Sequence, residues 1–472
     1  MGRNPTAAGP PVAEAVPRDP SADPVAPFHP GIPPGRGGLA GLEGASGAGD
    51  PAGQGEQADQ GERAGQGERA DQGERAGAGS WAGTDELVGT RDLTGIAHSG
   101  WARLPESVRA TLPLWLASRI AVALLSLAAA RALTSKPARD APGLRTLWDR
   151  WDVGLFTKVA RYGYLSPAYS DRTEVDFPGL PLAIRLVHLI VPDWIAAGLV
   201  VSLLAGAVTV AALWRLAADE VGAPAARFAV VGLISFPYAV FLFAAYSEGL
   251  FLAFATASWL AARRQRWWLA GLLGAGAAAT RISGVAFGVA LAVQYVVGRR
   301  AAGRPVFAWP ALSLALPPIP VLAYLGYLRA RTGGWGAYTD AMRDGWHRGL
   351  DWPWSGWATT WSSATDGNGA STFVWFWRGE LLAVVVGVLL TIVLMVGRRW
   401  GEATFVGVMT TIMACTNYYA SGIRGILVAF PLYLLLARAA ARHPRVVPVY
   451  LCLCAPVMAV LVVAFTQGQW VD

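Results

Sequence analysis

Eleven apolar runs follow one another between residues 112 and 466, a succession that a soluble globule has too little interior to bury. They cover 112–134, 195–214, 228–245, 248–262, 267–280, 283–298, 308–328, 380–397, 402–418, 424–441 and 446–466. A helix that crosses a bilayer needs about 20 predominantly apolar residues, fewer when it packs deep inside protein. Lipid offers no hydrogen bonds to a bare backbone, so each run must be helical. The expectation is an all-α polytopic membrane protein with about 11 transmembrane helices, occupying residues 109–472. Composition agrees, with 54% hydrophobic and 15% charged residues, against about 25% charged in ordinary soluble domains.

Residues 1–108 are of another kind, rich in Gly, Ala, Pro and charge. Within them Gln54–Gly77 reads as four hexapeptides, QGEQAD, QGERAG, QGERAD and QGERAG. A solenoid would need apolar residues to fill its coils, and Ala alone does not supply them. A disordered, solvated cytoplasmic tail is expected. No apolar segment follows a basic start, so no cleavable signal peptide is expected.

The net charge of +7 does not mark a nucleic-acid partner. Most of the arginines of the apolar half sit between apolar runs, the distribution of loop ends at a membrane. Cys415, Cys452 and Cys454 lie inside apolar runs and suggest buried thiols without a disulfide framework. The five histidines form no metal-spaced pair. No cofactor is expected; a divalent metal stays open, since no ligand spacing demands one.

The short connections alternate in charge. Thirteen arginines (215, 227, 263, 264, 266, 299, 300, 304, 398, 399, 438, 442 and 445) fall on one side, and only Arg281 and Arg424 on the other. The positive-inside rule makes the first side cytoplasmic, in a plasma membrane with the N-terminus inside. Two long loops, 135–194 and 329–379, then lie outside. The first holds a further apolar stretch, Phe177–Pro192, broken by Arg185 and His188. A span there would invert every later loop, so it is expected to be re-entrant or interfacial.

Charges near a membrane are expensive and therefore functional candidates. The outer side carries Trp148-Asp149-Arg150-Trp151-Asp152, Asp176-Phe177-Pro178-Gly179-Leu180-Pro181, Ser247-Glu248, Arg281 and Arg424. A carboxylate near arginines suits transfer of a group away from phosphate: the carboxylate takes a proton from the attacking hydroxyl, and arginine holds the departing oxyanion. Plain readings stand beside this. Asp149 and Asp152 serve equally as loop charges, Arg281 and Arg424 as snorkelling helix ends, and Ser247-Glu248 as an N-cap. Eight of the 21 tryptophans fall between Trp335 and Trp377, as an interfacial belt or a platform for sugar rings.

Several of these residues are similar in kind and order to the PIG-V-type mannosyltransferases. Trp151-Asp152, Phe156, Ala160 and Gly163-Tyr164 resemble that family's first outer loop. Phe177-Pro178 with Pro181, Tyr246-Ser247-Glu248, Ala279-Thr280-Arg281 with Gly284, and Ser421 with Arg424 and Phe430-Pro431 continue the resemblance across residues 110–440. Asp176-Phe177 and Arg424-Gly425 depart from it, where the family carries two aromatics and Arg-Tyr. The resemblance implies a GT-C-like fold and a mannosyl, or other hexosyl, transfer from polyprenyl-phosphate-mannose to a lipid or glycan acceptor at the outer face. It implies Asp152 as base, with Asp149 its nearest competitor, and Arg281 and Arg424 at the donor phosphate; Trp151, Glu248 and Tyr164 complete the expected site. The alternative is a transporter or lipid flippase, which would need polar residues on both sides of the bilayer.

Overall fold

The structure, a computed structural model, describes residues 103–133, 140–366 and 371–471. The expectations for the tail and its hexapeptides fall almost wholly outside these. Among the described residues the chain is all helical, with one isolated bridge between Leu350 and Thr416.

Seventeen α-helices follow in order among the described residues: α1 (Glu106–Ala132), α2 (Leu144–Trp148), α3 (Asp152–Tyr162), α4 (Gly179–His188), α5 (Trp194–Val221), α6 (Ala223–Ile234), α7 (Ser247–Arg263), α8 (Trp267–Ala278), α9 (Ser283–Ala301), α10 (Pro318–Thr332), α11 (Ala337–Trp346), α12 (Pro353–Thr365), α13 (Ser371–Val396), α14 (Trp400–Ala414), α15 (Gly422–Val428), α16 (Pro431–Arg442) and α17 (Val446–Thr466). Five helical stretches, Glu106–Ala132, Trp194–Val221, Trp309–Thr332, Val374–Val396 and Val446–Thr466, are each long and apolar enough to cross a membrane. The pair α15–α16, bent by 60° at Phe430-Pro431, makes a sixth when taken as one span. The chain is thus a multi-pass membrane protein.

Every apolar run carries helix, but three runs are broken internally, each near a proline. The run 228–245 stops being α-helix at Ile234, because Pro237 has no N–H and disfavours helix in Phe236. Its remainder is irregular apart from a 3₁₀ turn, Ala239–Leu242. Pro317 and Pro318 divide 308–328 into a 3₁₀ segment, Trp309–Ala315, and α10. Pro431 bends 424–441. The stretch Phe177–Pro192 holds only α4, ten residues and about 15 Å long, too short to cross. It buries Leu180 and Ile184 and exposes Leu182, Leu186 and Ile190, the pattern of a helix lying at an interface. The loop 329–379 is also largely helical, through α11 and α12.

The interior helices approach closely through small residues. α5 begins at an Asp193 cap that accepts from Ala196 N at 2.8 Å and presents Gly198, Ser202, Ala205, Gly206 and Thr209 inward. Gly206 is required: a Cβ there would lie 2.0 Å from the Trp115 ring, whose Nε1 donates to Leu203 O. α7, among the most buried helices, runs between two charged poles about 25 Å apart. At its Arg263 end, Glu220 is ion-paired with Arg263, Arg399 and Arg438. Its Ser247-Glu248 end holds the candidate site.

Candidate functional site

Glu248 is fully buried in the first turn of α7. Neither Ser247 nor Glu248 caps the helix, whose N-cap position, Tyr246, carries no side-chain cap. The carboxylate instead joins two arginines from distant parts of the chain. Arg424 Nε donates to Glu248 Oε1 at 2.6 Å, and Arg281 Nη1 lies 2.7 Å from the same oxygen in an ion contact without hydrogen-bond alignment. Arg424 Nη1 then reaches Asp152 Oδ2 at 3.4 Å. The guanidinium of Arg424 lies 4.9 Å from both the Phe241 and Tyr246 rings, which fix its plane. Asp152, Glu248, Arg281 and Arg424, from four connections, therefore form one buried ionic cluster.

Each member is set by its backbone. Asp152 opens α3, and its N–H donates to the Tyr246 hydroxyl at 3.2 Å. Trp151, just before it, has φ +54° and ψ −127°, a region unfavourable for a bulky residue that tends to mark sites under constraint. Its indole N–H donates to Gln469 O, and its ring packs edge-on against Trp470 at 4.9 Å. Arg424 sits on short α15, whose first amide, Gly422 N, donates to Glu380 Oε2 of α13 at 2.6 Å. Arg281 occupies the turn between α8 and α9. That turn is tied to the α4 entrance, where Gly179 N donates to Ala279 O at 2.7 Å.

Asp152, Arg281 and Arg424 face a cavity of 2240 Å³ that also takes in Asp149, Trp151, Asp176 and Arg348. A single small ligand occupies roughly 300–1,000 Å³, so this volume admits two substrates together. One wall is apolar: Ile282, Val285, Met409, Ile412, Met413 and Phe376. Ile282 and Val285, both in this wall, are each 38% exposed. Among the described residues no three His, Cys, Asp or Glu side chains converge to hold a metal ion.

The remaining sequence candidates divide. Asp149 lines the cavity apart from the cluster, and burial raises its carboxyl above the ordinary range against the pull of Arg145 and Arg150. Glu248 and Tyr164 do not line the cavity. Glu248 lies behind the wall, against the two arginines. Tyr164 donates to Asp176 O at 2.6 Å and packs on Tyr324, bracing the loop. Burial raises its hydroxyl pKa, with Asp176 adding to the shift.

Asp176, named from sequence only as part of a bend, stands out structurally. It reaches the cavity, its Oδ2 is buried and has no hydrogen-bond partner. Burial pushes its carboxyl well above the usual carboxylate range, the Asp152 charge adding and Arg424 opposing. Glu380 and Arg348 carry little sequence signal: a lone Glu inside an apolar run is the one available for Glu380, and Arg348 has none. Of the tryptophan group, Trp352 and Trp354 stack at 5.0 Å and are each 66% exposed, whereas Trp377 is buried.

No family model matches this sequence, and comparison with curated proteins finds no match. Among solved structures the chain is similar to ArnT from Cupriavidus metallidurans bound to undecaprenyl phosphate, with 15% identity and a TM-score of 0.45. The match covers 75% of this chain and spans only 64% of that one, a likeness too distant to carry activity or residue roles across.

Proposed function

We propose that this chain is a membrane glycosyltransferase of the GT-C type, moving a mannosyl residue from polyprenyl-phosphate-mannose to a lipid-linked or membrane-bound glycan acceptor at the outer face of the plasma membrane. The observation that supports it best is the meeting, in one large cavity, of a positioned carboxylate, two arginines and an apolar wall. Such a cavity suits a substrate with an anionic head and an isoprenoid tail.

In this reading Asp152 accepts the proton of the acceptor hydroxyl as its oxygen bonds to the anomeric carbon. The bond from that carbon to the phosphate oxygen breaks, and its electron pair leaves with polyprenyl phosphate. No general acid is needed, since phosphate departs as an anion. Arg424 orients Asp152 while Glu248 holds both guanidiniums at the cavity edge, so the donors are in place before charge develops. A transporter would need a polar route through the bundle. Below the cavity the packed, fully buried rings of Phe251, Phe287, Phe405 and Phe430 occupy that position.

Asp152→Asn tests the assignment, because it keeps side-chain size and removes the base. Membranes carrying either protein are given radiolabelled polyprenyl-phosphate-mannose and the labelled products are extracted. Turnover should drop by about 10²–10⁴-fold, with the variant still inserted. Unchanged turnover refutes Asp152 as base; no transfer by the unaltered chain refutes the mannosyl donor.

A further inference from the structure

The cluster that holds Asp152 is electrically neutral, with Asp152 and Glu248 against Arg281 and Arg424. Both arginines already face the Glu248 carboxylate, so they offset only part of the charge of an incoming phosphate. A phosphate bound here, a diester in the donor and a monoester once the sugar has left, is balanced more fully by a cation that the protein does not itself neutralise. Eight Lys and Arg residues line the cavity, and among the described residues six of them are ion-paired. The two others are Arg161 and Arg348. Arg161 is exposed, and water satisfies its donors.

Arg348 differs. Its Nε is buried without a hydrogen-bond acceptor, a cost that an acceptor oxygen on a ligand would remove. The residue does not float on a loose loop. Tyr418 donates to Trp346 O at 2.6 Å, Asn417 Nδ2 to His347 O at 2.9 Å, and Gly349 N to Asn417 Oδ1 at 3.0 Å. The segment is thereby fastened to the connection that leads directly into α15 and Arg424. On the other side, the Tyr338 hydroxyl feels both the Arg348 and the Asp176 charges, and its ring lies 6.1 Å from Phe177. Arg348 and Asp176 thus line the same cavity, which also carries an apolar surface suited to an isoprenoid.

We propose that Arg348 is a binding residue for the phosphate of the lipid-linked donor, supplying the positive charge that the neutral Asp152–Arg424–Glu248–Arg281 cluster does not. The inference rests on the transferase reading above and adds a residue to it from a different part of the chain.

The test is equilibrium binding to the purified full chain in nanodiscs, with undecaprenyl phosphate as probe and undecaprenol as its uncharged counterpart. The unaltered chain should prefer the phosphate form. Arg348→Gln should weaken undecaprenyl phosphate by about 10- to 100-fold, the range for a hydrogen bond to a charged group, and leave undecaprenol unchanged. Arg348→Lys should recover part of the affinity, and Arg161→Gln should bind within about twofold of the unaltered chain, since a solvated cation contributes little. Inorganic phosphate should bind at least 100-fold more weakly than the lipid; equal affinity would overturn the lipid assignment. Phosphate preference retained in full by a folded Arg348→Gln overturns the role of Arg348 and leaves the transferase reading standing. No preference for phosphate over alcohol in the unaltered chain overturns that reading itself, and this proposal with it.

Discussion

Replacing Glu248 by Gln keeps the shape of the side chain and removes the single charge that faces two arginines. Glu248 is fully buried, with Arg424 at 2.6 Å and Arg281 at 2.7 Å on one oxygen. After the change Arg424 keeps Asp152, whereas Arg281 keeps no carboxylate among the described residues. Breaking a buried ion pair from one side costs about 3–5 kcal/mol, because the charge left behind stays desolvated. That is a large share of a folding margin of about 5–15 kcal/mol. For a domain of this size each kcal/mol moves the midpoint by about 1–2 °C, so the transition should fall by about 3–10 °C. The assay is thermal unfolding of the purified chain in detergent, followed by intrinsic tryptophan fluorescence. Asp340→Asn is the matched control, since Asp340 and Arg343 pair at an exposed position, where such contacts contribute about 0–1 kcal/mol. The double variant Glu248→Gln with Arg281→Gln should be less destabilised than the two losses added together, by about 0.5–3 kcal/mol. A Glu248→Gln midpoint within 1 °C of the unaltered chain, roughly the 0.5 kcal/mol of a neutral surface change, would refute the buried-cluster account.

Two further outcomes follow from the same wall of the cavity. A methyl group added at Gly179 would meet Ala279 O at 2.7 Å and Thr280 Cγ2 at 2.9 Å. Gly179→Ala should therefore cost about 1–3 kcal/mol and displace the turn bearing Arg281, seen as a raised donor requirement in the transfer assay; unchanged donor kinetics would separate that turn from the phosphate. Asp176 has its carboxyl raised by burial and by Asp152, so its contribution to stability is full below about pH 4 and lost as pH climbs through the raised folded value. Asp176→Asn should gain stability relative to the unaltered chain between about pH 5 and 8, measured as unfolding midpoint against pH. Parallel curves for the two proteins would contradict the shift.

Much of the architecture was legible because hydrophobicity is a local, additive property. Each of the eleven apolar runs produced helix, and Phe177–Pro192, expected not to cross because a crossing would invert the charge of every later loop, holds only the ten-residue α4. The internal breaks at Ile234, Ala315 and Phe430 lie near prolines that a hydropathy window averages away. The ion-paired residues of one pole were legible as a set: polar side chains at helix ends of one pole must find partners, and Asp152, Glu248, Arg281 and Arg424 found one another.

The pairing itself was not legible. Glu248 and Arg424 are 176 residues apart, and Asp152 and Arg424 are 272 apart. Which carboxylate meets which guanidinium depends on ångström-scale placement of separate helix ends, which no local pattern encodes. Sequence determined that this chain is a bundle of membrane helices with charges gathered at both ends. Tertiary structure alone decided that Glu248 stands behind the cavity wall, that Asp176 and Arg348 reach the cavity, and that Glu380 holds α15. Burial energies sum along the chain, whereas an ionic site exists only where several chain segments meet.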